Sequence, residues 1–269
     1  MEVFLPQGKT RIMGILNLTP DSFSDGGEYL NVEAAVRRAL EVEAQGADIL
    51  DLGPQSTRPG HTPVPPEEEM RRLLPALEAI ACRLRIPISV DTFDPAVAAA
   101  ALDRGARIIN DVSGQVSEAM GKVILDRGGG WVLMHAGGGA DQLGTYEPDA
   151  HTAVRDFLAG ATEKATAMGF RREDLCADPG IGFGKNRADD LRLLRNVASL
   201  RPDGVAVLVG ASRKRLITAA AGDCPPKERL AGTIAAHTAA QLAGANILRV
   251  HDVPEAVQAA RLIDAMLER

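Results

Sequence analysis

The chain has 269 residues, 45% hydrophobic and 25% charged, with a formal net charge of −6. That length suits one (β/α)8 barrel or two small domains, and the composition is ordinary for a globular protein. An acidic balance with no basic stripe argues against nucleic acid as a partner, and 3% aromatic content argues against a base-stacking platform. The three cysteines, Cys82, Cys176 and Cys224, are widely spaced, which fits reduced thiols and not a disulfide framework or a metal motif. The opening "MEVFLPQGKT" lacks the basic and long apolar regions of a signal peptide, and no apolar run is long enough to span a bilayer. The expected location is the cytoplasm, with no membrane partner.

In chain order, short apolar runs predict strands at "RIMGIL" (11–16), "ADILDL" (47–52), "IPISVD" (86–91), "ARIIND" (106–111), "GWVLMH" (130–135), "DLCADP" (174–179), "VAVLVG" (205–210) and "NILRVH" (246–251). Most are rich in Ile, Val or Leu without clean polar alternation, as strands covered on both faces are. Amphipathic stretches at 32–45, 66–84 and 254–269 predict helices between and after them. The junctions "QGAD", "RGAR" and "AGAN" place Gly where a helix closes before the next strand. Eight strands alternating with about eight helices predict a single (β/α)8 TIM barrel over 1–269. A doubly wound sheet is the weaker alternative, because no GxGxxG follows the first strand.

A barrel of this kind carries its function at the C-terminal ends of its strands. Those ends read Asn17, "GPQSTRPG" (53–60), Asp91, "ND" (110–111), "MH" (134–135), "DPGIGFGK" (178–185), "SRK" (212–214) and "RVHD" (249–252). Asp91, Asn110 and Asp178 are each good helix caps. Three such groups converging on one mouth point instead to a ligand with several N–H donors, such as a fused aminopyrimidine ring. In "GASRKR" (210–215), Arg213, Lys214 and Arg215 suit either a solvated basic face or a phosphate pocket, and the buried strand before them favours the pocket. Arg249 and His251 alternate at the last strand end, so both are expected to point into the mouth. "STRPG" is a plausible anion cradle in a Pro-rich loop. "DPGIGFGK" lacks the Walker spacing, so its glycines are read as permitting close backbone approach and not as binding a nucleotide.

Taken in order, "MGILNLTPDSFSDGG", "STRPG", "SVDT", "IINDVSG", "LMH", "DPGIGFGK", "GASRK" and "RVHDV" resemble the dihydropteroate synthase family over about residues 11–253. The resemblance implies a TIM barrel that joins 6-hydroxymethyl-7,8-dihydropterin diphosphate to 4-aminobenzoate, giving 7,8-dihydropteroate and diphosphate, and in most members a homodimer. By the same resemblance Asp91, Asn110, Met134, Asp178 and Lys214 would line or hold the pterin, with Arg249 against its face. Thr57, Arg58, Arg249 and His251 would bind the diphosphate, and Asn17 would hold Mg²⁺ with it. Phe23 and Pro59 would flank the aminobenzoate, and "NLTPDSFSDGG" would act as a lid hinged at Gly26 and Gly27, with Asp25 holding it closed.

Four positions depart from the family pattern. Pro54 and Gln55 stand where a Gly pair and Glu are expected, Ala136 follows "LMH", and Arg215 stands where a Ser often meets the aminobenzoate carboxylate. The departures at Gln55 and Arg215 keep one alternative open, a non-catalytic pterin-binding paralogue. A second, a methyltransferase that moves a methyl group from methyltetrahydrofolate to a corrinoid protein, shares the pterin pocket but is opposed by "STRPG" and the "SDGG" lid.

Overall fold

The computed structural model describes residues 4, 8–18, 28–54, 64–137 and 143–268. Its strands are β1 (Arg11–Asn17), β2 (Ile49–Gly53), β3 (Ile88–Asp91), β4 (Ile108–Asp111), β5 (Gly130–Met134), β6 (Leu175–Asp178), β7 (Ala206–Val209) and β8 (Ile247–Val250). Each pairs in parallel with the next and β8 pairs with β1, which closes the barrel. These are the predicted strands, with ends shifted by at most two residues.

The helices are α1 (Glu28–Ala44), α2 (Pro66–Ala81), α3 (Pro95–Asp103), α4 (Glu118–Asp126), α5 (Ala150–Ala167), α6 (Arg187–Arg195), α7 (Val197–Leu200), α8 (Arg215–Ala221), α9 (Leu230–Leu242) and α10 (Val253–Met266). One helix per strand was the expectation, but β6 and β7 are each followed by two. Asn196 ends α6 by turning its amide back onto the Arg192 carbonyl at 2.7 Å, and Gly222 ends α8 in a left-handed conformation at φ 89°. The three Gly-Ala junctions behave as predicted: Gly46, Gly105 and Gly244 all have φ near 100°.

Inside the barrel, Met13, Ile49, Ile108, Val132, Cys176, Leu208 and Ile247 form one apolar layer with Phe4. A second, larger apolar cluster fills the space between the sheet and the helices. Side chains alternate along a strand, so the residue two positions further points inward one layer higher. Applied to six strands in turn, that rule yields Ile15, Asp51, Asn110, Met134, Asp178 and Arg249, joined by Asp91 from β3. On β2, β4, β6 and β8 the barrel therefore changes from an apolar layer to a polar mouth within two residues, whereas β1 and β5 carry the apolar Ile15 and Met134 at that level.

Candidate active site

Arg249 is the centre of the mouth. Its guanidinium reaches Asp51 Oδ2 at 2.7 Å through Nε and Asp91 Oδ2 at 2.9 Å through Nη2. Asp51 is fully buried and also accepts from Asn110 Nδ2 at 3.3 Å. Two acceptor atoms in this group, Asp51 Oδ1 and Asn110 Oδ1, are buried without a hydrogen-bond partner among the described residues. An orphaned buried acceptor is costly unless something brings it a donor. Burial and the nearby Asp51 push Asp91 up to about 7, with the Arg249 charge drawing it down.

Asp178 ends β6 beside Met134 on β5. It accepts the Gly180 N–H at 2.7 Å, and burial raises its pKa against the pull of Lys214. Lys214 donates to the Ile181 carbonyl at 2.5 Å and lies 4.8 Å from the centre of the Phe183 ring. Burial lowers Lys214 to about 8, with Asp178 opposing that shift. The loop joining these groups is pinned by a second lysine. Lys185 Nζ donates to the carbonyls of His135, Gly180 and Phe183 at 3.0, 3.0 and 2.8 Å. Gly180 sits at φ 65°, and a Cβ there would fall 2.1 Å from the His135 carbonyl oxygen. Gly180 therefore serves close backbone approach, whereas a Cβ at Gly182 would meet the Lys214 side chain at 3.1 Å.

The capping alternative for the three polar strand ends fails, because other residues cap the helices that follow. Asp94 caps α3, Ser117 caps α4 and Asn186 caps α6, each through its side chain. Asp111 turns away from the mouth and accepts from Trp131 Nε1 at 3.3 Å and the Ser113 N–H at 3.0 Å.

The basic run divides by function. Arg213 pairs with Asp252 at 2.5 Å, Lys214 turns to the mouth, and Arg215 is exposed on the first turn of α8. His251 meets the Ser212 hydroxyl at 2.9 Å through Nδ1, so it stands at the rim beside the β7 loop. Asn17 ends β1 next to Gly53, half-buried. Phe23, Asp25, Gly26, Gly27, Gln55, Thr57, Arg58 and Pro59 lie outside the described residues. Asp51 was missed from sequence because the end of the second strand was read from Gly53 onward, past this carboxylate. Its signal was a lone carboxylate inside the apolar strand "ILDLG", two residues beyond a barrel-filling Ile.

A separate surface cavity of about 340 Å³ is lined by Arg155, Glu163, Arg172, Arg201 and Asp203. It lies where the chain enters β6 and β7, at the other end of the strands, and Arg172 is already held by Glu163 and the Asp203 carbonyl. The mouth remains the candidate site.

A family model described as pterin binding enzyme matches residues 13–251. A relative from Synechocystis sp. named dihydropteroate synthase is 40% identical over 261 residues, covering 96% of this chain and 90% of its own. The chain belongs to the dihydropteroate synthase family. Among solved structures, a dihydropteroate synthase from Xanthomonas albilineans bound to 4-aminobenzoic acid superposes with a TM-score of 0.90 at 43% identity, covering 97% of this chain and 94% of that one. The same organism's dihydropteroate synthase in complex with 7,8-dihydropteroate gives 0.86 at 40% identity, covering 97% and 95%. The family also occurs inside longer proteins. This chain spans 30% of a probable bifunctional folylpolyglutamate synthase/dihydropteroate synthase from Haloferax volcanii and 50% of a mitochondrial bifunctional folate-synthesis protein from Arabidopsis thaliana.

Proposed function

We infer that this chain catalyses the dihydropteroate synthase reaction, joining 6-hydroxymethyl-7,8-dihydropterin diphosphate to 4-aminobenzoate with loss of diphosphate. The observation that carries the reading is the acceptor-rich floor of the mouth. Asp51 Oδ1 and Asn110 Oδ1 have no donor among the described residues, and Asp91 and Asp178 stand beside them under Arg249 and Lys214. A dihydropterin edge supplies the missing N–H donors. Relatives at about 40% identity bear the synthase name, which favours this reading over the methyltransferase one.

The chain's residues divide the work. Asp178, Asn110 and Asp91 fix the pterin edge, and Lys214 and Arg249 hold the ring from the rim and the floor. The bond from the exocyclic methylene to the diphosphate oxygen breaks with its electron pair. The resulting positive charge spreads into the ring, where the Asp91 and Asp178 carboxylates stabilise it. The aminobenzoate nitrogen then donates its lone pair to form the C–N bond and sheds a proton. No protein nucleophile is required. Cys176 is sealed in the apolar layer, and burial pushes its thiol pKa well up. Phe23, Asp25, Pro59 and Arg215 as aminobenzoate neighbours, and Thr57, Arg58 and His251 as diphosphate ligands, rest on the resemblance. Arg215, exposed on the first turn of α8, would offer its charge to the aminobenzoate carboxylate.

In the same reading one Mg²⁺ accompanies the diphosphate. Asn17 offers a single hard amide oxygen at the rim, and among the described residues no group of three His, Cys, Asp or Glu side chains gathers to hold a metal. That donor set fits a dication whose other oxygens come from the diphosphate and water, and its chemistry would be to neutralise the leaving group. A homodimer, on the resemblance, and a cytoplasmic location, on the three widely spaced cysteines, complete the proposal. Among the described residues no helix is long and apolar enough to cross a membrane.

The test is direct. The pterin diphosphate, 4-aminobenzoate and Mg²⁺ are mixed with the protein, and diphosphate and dihydropteroate are measured together. Stoichiometric appearance of both is expected. Pterin binding with no diphosphate release would overturn the synthase reading and leave the non-catalytic and methyltransferase ones.

A further inference from the structure

The loop from Gly210 to Lys214 presents two mouth residues on one side, Ser212 to His251 and Lys214 to Ile181 and Phe183. Its backbone is unusual: Arg213 stands at φ 59°, a left-handed conformation that a residue with a Cβ adopts only when its surroundings impose it.

The imposing contacts come from the opposite side, from α9 and the residue that precedes it. The Ala211 N–H donates to His237 Nε2 at 3.1 Å. The Arg213 N–H donates to Thr233 Oγ1 at 3.0 Å, and the Arg213 carbonyl accepts from Arg229 Nη1 at 3.0 Å. Thr233 and His237 are four residues apart on one face of α9, and Arg229 caps the start of that helix. Arg229 is itself held by the Cys224 carbonyl through Nε and Nη2.

His237 is the informative member. It is 2% exposed, and its Nδ1 has no hydrogen-bond partner among the described residues. Because Nε2 accepts, the neutral ring must carry its proton on Nδ1, so the core harbours an unsatisfied N–H. An apolar side chain would pack there without that penalty. The imidazole brings an acceptor for the Ala211 N–H, immediately before Ser212. Burial and the nearby Lys214 charge hold the ring down at about 4, so it stays neutral around pH 7.

We propose that His237, with Thr233 and Arg229, is a positioning residue that clamps the 211–213 backbone in the turn that aims Lys214 and Ser212 into the mouth. This rests on the reading of Lys214 as a pterin-binding residue, so the test has one arm independent of it.

In that arm, backbone amide exchange is followed in the whole protein. His237→Leu keeps the packing and removes the acceptor, whereas His237→Gln returns an acceptor near the position of Nε2. Exchange at Ala211 and Arg213 should speed up at least about tenfold in the Leu variant and return towards wild type in the Gln variant. In the functional arm, KM for the pterin diphosphate should rise about tenfold in His237→Leu, with a smaller change for 4-aminobenzoate, and recover in His237→Gln. The loss should largely vanish in a Lys214→Ala background, since a clamp that acts through Lys214 has nothing left to aim. Thr233→Val, which removes the acceptor for the Arg213 N–H, provides the same readouts if the Leu variant does not fold. Wild-type exchange in His237→Leu or in Thr233→Val overturns the clamp. Additive losses with Lys214→Ala overturn its route through Lys214. Altered exchange together with a Lys214→Ala protein that binds pterin normally would instead overturn the site assignment and leave the clamp standing.

Discussion

Arg249 holds two carboxylates at once, and the consequences differ for each. Asp51 is fully buried and supports both Arg249 and Asn110, so Asp51→Asn should destabilise the fold by about 1.5–3 kcal/mol in urea unfolding, the range for hydrogen bonds to a charged group. A variant of unchanged stability would mean that Asp91 alone suffices to neutralise Arg249. At the other wall, Asp178→Asn places an amide N–H against a ring N–H. It should weaken a pterin analogue by about 2–4 kcal/mol in calorimetry, and unchanged affinity would remove Asp178 from the pterin edge. Asp91 carries the pH dependence. With its pKa raised to about 7, the folded chain keeps a proton that the unfolded chain releases near pH 4. This group's contribution to stability is therefore complete below that range and lost as pH rises through about 7. The stability of wild type minus that of Asp91→Asn should fall across this window, and a flat difference would show that Arg249 keeps Asp91 ionised throughout. Asp91, Asn110, Asp178 and Arg249 were legible in sequence because each falls in a segment read as a polar strand end. Asp51 was not, because the end of its strand was read from Gly53 onward, and the inward aim of a carboxylate before that point shows only once the barrel is closed.

At the scale of elements, the strands were legible because covering on both faces leaves short, uninterrupted apolar runs. The doubled helices after β6 and β7 were not. Their breaks are made by single residues, Asn196 and Gly222, acting through a side-chain bond and a backbone conformation that composition does not encode. The β6 loop shows how far local geometry reaches. Gly180 lets the backbone pass the His135 carbonyl, and Lys185 ties three carbonyls from two loops around that crossing. Gly180→Ala forces a Cβ into backbone at 2.1 Å and adds the left-handed penalty of about 1–2 kcal/mol. The crossing must open, moving Asp178 and the Phe183 ring beneath Lys214. A lower melting temperature together with at least about tenfold weaker pterin binding is expected. A variant that melts earlier but binds normally would separate the crossing from the position of Asp178.

At the scale of the molecule, the apolar layer and the polar mouth share the same strands, so they should open together. Cys176 tests this, because it lies in the apolar layer on β6, two residues before Asp178, and is fully buried. Cys82 is exposed and Cys224 half-buried, so both should react promptly with a thiol reagent in the native protein. Cys176 should react only through opening of the barrel. The barrel's lower end is itself tied across the chain: Asp264 on α10 accepts from the Thr10 backbone and hydroxyl at 3.0 Å each, and from Gln241 on α9 at 2.8 Å. Exposing Cys176 without loosening these ties requires β6 to leave the sheet alone, breaking its pairing with β5 and β7. If opening is global, a ligand that binds only the closed mouth slows labelling by the factor 1 + [L]/Kd, about a hundredfold at 100 times Kd. With 7,8-dihydropteroate at that excess, Cys176 labelling should slow by about this factor while Cys82 labelling stays unchanged. Cys176 labelling that ignores a ligand shown by calorimetry to bind would mean that the apolar layer opens beneath an intact mouth, and that the two layers are not one cooperative unit.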